Sequence, residues 1–166
     1  MSSVLVRMAR SLRGGSFAAL DAARIRGRAE TMLEASAFRG WDVAVLLEDD
    51  ERVRELNHKY RGKDVATDVL AFRFYDGPEG VPAPETVGEA ELRNLGDVVL
   101  GVPFIHRTSL ADGAAFDVRL DATLAHGLAH LMGHEHETDE QEAVMLAAER
   151  RLLAALGDEP QPLQSS

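Results

Sequence analysis

Apolar and polar residues alternate most clearly in "WDVAVLLE" (41–48), which puts Val43, Val45 and Leu47 on one side of an extended chain. "TDVLAFRF" (67–74) does the same with Leu70, Phe72 and Phe74, and "VLVRMAR" (4–10) reads as a first strand. "LGDVVLG" (95–101) is a further strand, expected at a sheet edge because Pro103 ends it. Helical spacing governs the stretches between. Residues 16–38 carry Ile25, Ala29, Met32 and Leu33 on one helical face, and Asp49 or Asp50 can cap a short helix bearing Val53, Leu56 and Tyr60. A helix from about Asp117 to Met132 should end at Gly133, a residue suited to the left-handed position after a helix. "TDEQ" (138–141) matches a capping box for a last helix that buries Val144, Ala148, Leu152 and Ala155. Residues 76–93, with three of the six prolines, form a loop. The pattern predicts a single domain of mixed α and β elements over 1–166, with a frayed tail from about Gly157 and no internal repeat or linker.

Composition narrows the chemistry. The chain has no cysteine, so disulfides and thiolate metal sites are excluded, and any metal must be held by histidine or carboxylate. The absence of cysteine is compatible with a reducing cytosol. No apolar run approaches the roughly 20 residues that span a bilayer, and none resembles a secretory signal. Net charge is −10, unevenly spread: residues 1–28 hold six arginines and only Asp21 as an acid, so the remainder carries −15. An acidic body argues against tight, sequence-blind binding of nucleic acid such as duplex DNA, which relies on many phosphate contacts. The Arg-rich opening has some transit-peptide character, against which "VLVRMAR" reads as a strand; its charge is read as a solvated basic surface, with a local phosphate-facing patch as the alternative.

Four of the six histidines fall in "HGLAHLMGHEH" (126–136). On a helix, His126 and His130 project from one face a turn apart, the spacing two imidazoles need to share a small cation. After the turn at Gly133, His136 can return to the same metal as a third ligand. This H-x-x-x-H-x-x-G-x-x-H spacing is the zinc-ligand pattern of the metzincin proteases, and three nitrogen donors with a fourth position left open make a catalytic type of zinc site. Histidines that merely decorate a helix C-terminus, where the dipole favours them, leave the four-then-six spacing unexplained. His134, immediately after the glycine, is a weaker ligand candidate, and His58 and His106 are read as surface or lightly buried side chains. Where a zinc protease carries its water-activating glutamate, this chain has Gly127, which disfavours peptide hydrolysis.

A second cluster lies in "LNHKYRGKDVATDVLAF" (56–72). Asn57 and Arg61 share a helix edge, and Arg61, Lys63 and Lys59 place positive charge beside Gly62 in an otherwise acidic chain. A guanidinium suits a phosphate, which it can grip with two hydrogen bonds. Taken alone, the same stretch also reads as a helix-to-strand connection with solvated charges.

Together, "HGLAHLMGHEH", "LNHKYRGKDVATDVLAF" and "LGDVVLG" resemble the YbeY family of bacterial rRNA-maturation endoribonucleases, in the same order and over most of the chain. The usual patterns there are H-G-x-L-H-L-x-G-x-D-H, N-x-x-Y-R-x-x-x-x-x-T-D-V-L-S-F and L-G-D-[IV]. The chain departs from them at Ala71, Ala129 and Glu135, and at Arg73, where a proline is usual; no proposed ligand is lost. The resemblance implies an α+β, zincin-like metal-hydrolase fold with a mixed sheet of about four strands packed by helices. It implies one zinc per chain on His126, His130 and His136, with Arg61 lining the cleft as the catalytic residue beside Asn57 and Lys63 as further substrate contacts. It also implies single-strand-specific cleavage of RNA, maturation of the 16S rRNA 3′ end and a part in ribosome quality control. The acidic balance suits an enzyme to which small-subunit ribosomal proteins or an assembly GTPase deliver rRNA in the cytoplasm, away from membranes and DNA. Two other readings stand beside this one: a non-catalytic assembly factor whose zinc only holds the fold, and a zinc metallopeptidase, against which Gly127 speaks. Attack by zinc-activated water and attack by the ribose 2′-hydroxyl are both open.

Overall fold

The alternating stretches all become strands: β1 (Val4–Met8), β2 (Asp42–Glu48), β3 (Val69–Arg73) and β4 (Asn94–Gly101). The computed structural model describes residues 2–88 and 91–157, so the expected frayed tail lies, apart from Gly157, outside the described residues. The strands form one mixed sheet ordered β1-β2-β4-β3, with β1, β2 and β4 parallel and β3 antiparallel to β4. The edge position expected for β4 is therefore wrong: β4 is central, and β3 and β1 are the edges. Pro103 misled because it does more than stop a strand. It occupies the first turn of a helix, where its missing N–H costs nothing.

Among the described residues five helices accompany the sheet: α1 (Ala22–Glu34), α2 (Asp50–Arg61), α3 (Val102–Asp112), α4 (Phe116–Leu131) and α5 (Asp139–Ala154). α1 starts later than residue 16 because the Asp21 side chain caps it by accepting from the Ala23 N–H, and residues 15–17 form only a 3-10 turn. Asp49 caps α2 by accepting from the Arg52 N–H, and Thr138 with Gln141 forms the capping box of α5. α3 has no counterpart in the sequence reading, since its buried stripe is only Val102, Ile105 and Ser109. α5 turns a different face inward: Met145, Ala148, Leu152 and Leu153 are buried, whereas Val144 is exposed and Ala155 half-buried.

The sheet separates two apolar clusters. One face presents Val43, Val45, Leu47, Val98 and Leu100 to a core shared with Ile25, Met32 and Leu33 of α1 and Leu124, Leu128 and Leu131 of α4. Burying each such side chain contributes about 1.5–3 kcal/mol, which makes this face the main source of stability. The other face carries a smaller cluster of Val53, Leu70 and Val99, with Leu46, Leu56 and Phe72 packed against it beneath α2. α4 is buried along most of its length, and its one buried acid, Asp121, is gripped by both terminal nitrogens of Arg24 at 3.1 and 3.0 Å. The helix lies flush on the sheet at Gly127: a β-carbon there would sit 2.7 Å from Val98 Cγ1 and 3.1 Å from Val69 Cγ2. That contact fixes how the histidines of α4 stand against β3 and β4.

Candidate metal centre and adjoining cleft

The last turns of α4 bring His126 and His130 together with ring centroids 4.8 Å apart. α4 ends at Leu131 with Met132 as its cap, and Gly133 adopts φ 102°, a conformation that a side chain disfavours, so the chain reverses there. The reversal returns His136 to 5.7 Å from His126 and 5.1 Å from His130, centroid to centroid. One nitrogen from each of the three rings lies within 4.8 Å of the others. His134 is not in this group.

Two of the rings are oriented from behind. The His130 Nδ1–H donates to the His134 carbonyl at 2.9 Å, which leaves Nε2 with its lone pair for a ligand. His126 Nδ1 meets Oε1 of Glu149 at 2.5 Å, and Glu149, on α5, is only 4% exposed. A carboxylate behind a ligating histidine fixes its ring and strengthens it as a donor. Burial, reinforced by His126, pushes the His130 pKa down to about 4, so the ring is neutral at physiological pH, as a metal ligand must be. The donor set fits a metal of the zinc type: three neutral imidazoles, two already oriented, with no thiolate.

Arg73, at the end of β3, reaches this turn. Its Nε donates to the His130 carbonyl at 2.6 Å, its Nη2 donates to the His134 carbonyl at 3.2 Å, and the same Nη2 pairs with Glu135 Oε1. Glu135 Oε2 stands 3.7 Å from His130 Nδ1.

A cleft of about 760 Å³ runs from the α2 face of the sheet to His130. Arg7, Arg52, Arg61 and Arg73 line it, with Asp97 and Glu135 among its acids and Tyr60 and Phe72 among its rings. Four guanidiniums share the concavity with four carboxylates, Glu48, Asp76, Asp97 and Glu135, so the cleft is formally balanced in a chain of net charge −10. Burial raises the pKa of Asp97, holding it closer to its protonated form than an open aspartate. Arg61 therefore shares the cleft with His130; its Nη2 donates to the Ala71 carbonyl at 3.1 Å. Asn57 is placed differently: it is 3% exposed and donates to the Val65 carbonyl at 2.9 Å, tying α2 to the following loop. Lys63 is exposed and not among the residues lining the cleft. Glu149 and Arg73 were missed in the sequence. The signal for Glu149 was an acid set among the apolar positions of α5; Arg73 gave none beyond its departure from the motif.

Gly127 explains the absence of a protease-type base. The position is buried, and a side chain there would drive into Val98 and Val69, so a glutamate has no room on this helix.

Fold and donor set together define an α+β protein with a three-histidine centre suited to metal, opening onto an arginine-lined cleft. A family model described as Endoribonuclease YbeY matches residues 17–157, and the chain belongs to that family. It is 37% identical over 118 residues to an "Endoribonuclease YbeY" of Bacillus cytotoxicus, covering 71% of this chain and 74% of that one. To the protein of the same name from Magnetococcus marinus it is 39% identical over 137 residues, covering 78% and 92%. The solution structure of TM1509 from Thermotoga maritima shares the fold, with a TM-score of 0.54 at 20% identity over 95% of this chain and 92% of that one. Among the described residues no helix is long and apolar enough to cross a membrane.

Proposed function

We propose that this chain is a zinc-dependent, single-strand-specific endoribonuclease of the cytoplasm that acts in 16S rRNA 3′-end maturation and ribosome quality control. The observation that carries the reading is the convergence of His126, His130 and His136 beside the arginine-lined cleft, in a member of a family named for endoribonuclease activity. Zinc held by the three histidines supplies Lewis-acid polarisation of a phosphodiester. Glu149 and the His134 carbonyl keep two of the rings aimed. Arg61 commits one nitrogen to the Ala71 carbonyl, so the rest of its fork is left to grip a phosphate and fix the strand relative to the metal. Single-stranded RNA suits a cleft that combines guanidiniums with the exposed ring of Tyr60, on which an unpaired base can stack. The acidic body limits adhesion to other nucleic acid, DNA included, and fits delivery of rRNA by small-subunit ribosomal proteins or an assembly GTPase. Metal analysis combined with an RNA-cleavage assay on wild-type and His130→Ala protein tests this. The expected result is about one zinc per wild-type chain and chelator-sensitive cleavage that His130→Ala abolishes. Undiminished cleavage by zinc-free protein would overturn the proposal.

A further inference from the structure

We infer that Arg73 is a positioning residue for the metal centre: it clamps the 132–136 turn to the sheet and thereby sets the affinity for zinc. The inference rests on His126, His130 and His136 being the ligands, but not on any RNA being cleaved.

Met132 packs on the core and Val81 stands beside Gly133, but among the described residues the turn's other hydrogen bonds stay within its own neighbourhood. Gly133 N–H bonds the His130 carbonyl at 3.0 Å, His134 N–H bonds the Ala129 carbonyl at 3.0 Å, and Glu137 N–H bonds Gln141 Oε1 at 3.1 Å. Each of these links the turn to α4 or α5. Among the described residues, Arg73 is the one side chain from the sheet that hydrogen-bonds it. Both acceptors matter. The His130 carbonyl lies at the negative end of α4, where a cation is favoured, and the His134 carbonyl is the same oxygen that holds His130 Nδ1. Arg73 thus closes a circuit running from the His130 ring to the His134 carbonyl, through the guanidinium, and back to the His130 backbone. Glu135 adds a charged partner for the same Nη2. The clamp bridges the segment between the second and third ligands, so it constrains the distance on which joint coordination depends. A planar fork serves these acceptors from two spaced nitrogens, Nε and Nη2, whereas an ammonium's three donors radiate from a single nitrogen and cannot reproduce that spacing. Arg73 and Glu135 are also two positions where the chain departs from the motif quoted above, and here they meet each other.

The test is zinc affinity, measured by competition with a chromophoric chelator, together with thermal melts of the metal-free proteins followed by far-UV circular dichroism. Loss of a partner that orients a metal ligand weakens binding by about tenfold to a hundredfold, and Arg73→Ala is expected in that range with a metal-free melting temperature close to wild type. Arg73→Lys should be intermediate, with its charge kept and its fork lost. Wild-type zinc affinity in Arg73→Ala overturns the inference. So does a drop in metal-free stability without any change in the affinity of the folded protein, which is the behaviour of a merely structural arginine. Should Arg73→Ala fail to fold, Arg73→Lys decides, and wild-type affinity there overturns the inference equally. A wild-type chain that binds zinc but cuts no RNA would remove the ribonuclease reading and leave this one standing.

Discussion

Gly127→Ala is the smallest change that probes how the histidine-bearing helix sits on the sheet. A methyl group there meets Val98 Cγ1 at 2.7 Å, Val69 Cγ2 at 3.1 Å and Val98 Cγ2 at 3.3 Å. Valine side chains are stiff, so the contact is not relieved by a rotamer change and the helix must lift. Overpacking of this kind costs about 1–3 kcal/mol. Replacing glycine by alanine inside a helix recovers about 1 kcal/mol of propensity. The net expectation is a destabilisation of about 0–2 kcal/mol, each kcal/mol lowering the melting temperature by about 2–4 °C in a chain of this size. That range is narrow enough to need a second arm. Val98→Ala alone removes buried methyl groups at about 0.8 kcal/mol each, with a further cost for the space left behind. In the double variant the new methyl enters that space, so the two losses should fall short of their sum by about 1–2 kcal/mol, within the range found for residues in contact. Urea denaturation of the four proteins measures this directly. A Gly127→Ala protein more stable than wild type by the full propensity gain, with losses that simply add in the double variant, would refute the close approach of α4 to the sheet. Gly127→Glu should unfold rather than acquire peptidase activity, because the carboxylate enters the same closed space without a partner.

The other expectations concern the site itself. Zinc, measured by elemental analysis at about one per chain, should be lost on replacing His126, His130 or His136 by alanine and kept in His134→Ala, since the contribution of His134 is its backbone carbonyl; metal lost from His134→Ala but retained in His136→Ala would reverse the ligand assignment. Glu149→Ala should weaken zinc binding by about tenfold to a hundredfold, with Glu149→Gln milder because its amide oxygen can still accept from His126, and chelator competition reads both. Arg61→Ala should retain zinc and thermal stability while losing about tenfold to a hundredfold in RNA cleavage, the worth of a charge-assisted phosphate contact of roughly 1.5–3 kcal/mol, with Arg61→Lys in between. Normal cleavage by Arg61→Ala with its zinc content verified would make Arg61 an ordinary connector.

What could be read from the sequence was what depends on near neighbours. His126, His130, Gly133 and His136 announce their geometry because a helical turn and a glycine reversal are local, and the caps at Asp49 and Thr138 are local as well. The partners that orient the site were hidden because they come from elsewhere in the chain. Glu149 stands 23 positions from His126, and Arg73 stands 57 from His130. Arg73 also follows the alternating pattern of β3, so nothing in the period marks it as anything but a strand residue. Asn57 illustrates the reverse error. Its place four residues before Arg61 suggested a common edge, yet the helix turns it inward, where its amide is used by the fold. The central position of β4 was obscured by one proline, whose meaning depended on the helix α3 that the short apolar stripe did not reveal.

Both borders of the sheet are defended against a second chain. In β3, the Phe74 N–H bonds the Leu95 carbonyl and the Gly101 N–H bonds the Asp68 carbonyl, so even-numbered residues face β4 and the Ala71 carbonyl points to the open side. Arg61 covers that oxygen, and Arg73 puts charge at the end of the same border. Charged side chains along an edge discourage strand-to-strand joining. β1 is covered in the same manner: Arg13 Nη2 donates to the Met8 carbonyl at 3.5 Å, on the side away from β2, although Leu5 nearby is 56% exposed. Strand addition should therefore be disfavoured at both borders, and concentrated solutions of this protein should not grow by joining sheets edge to edge.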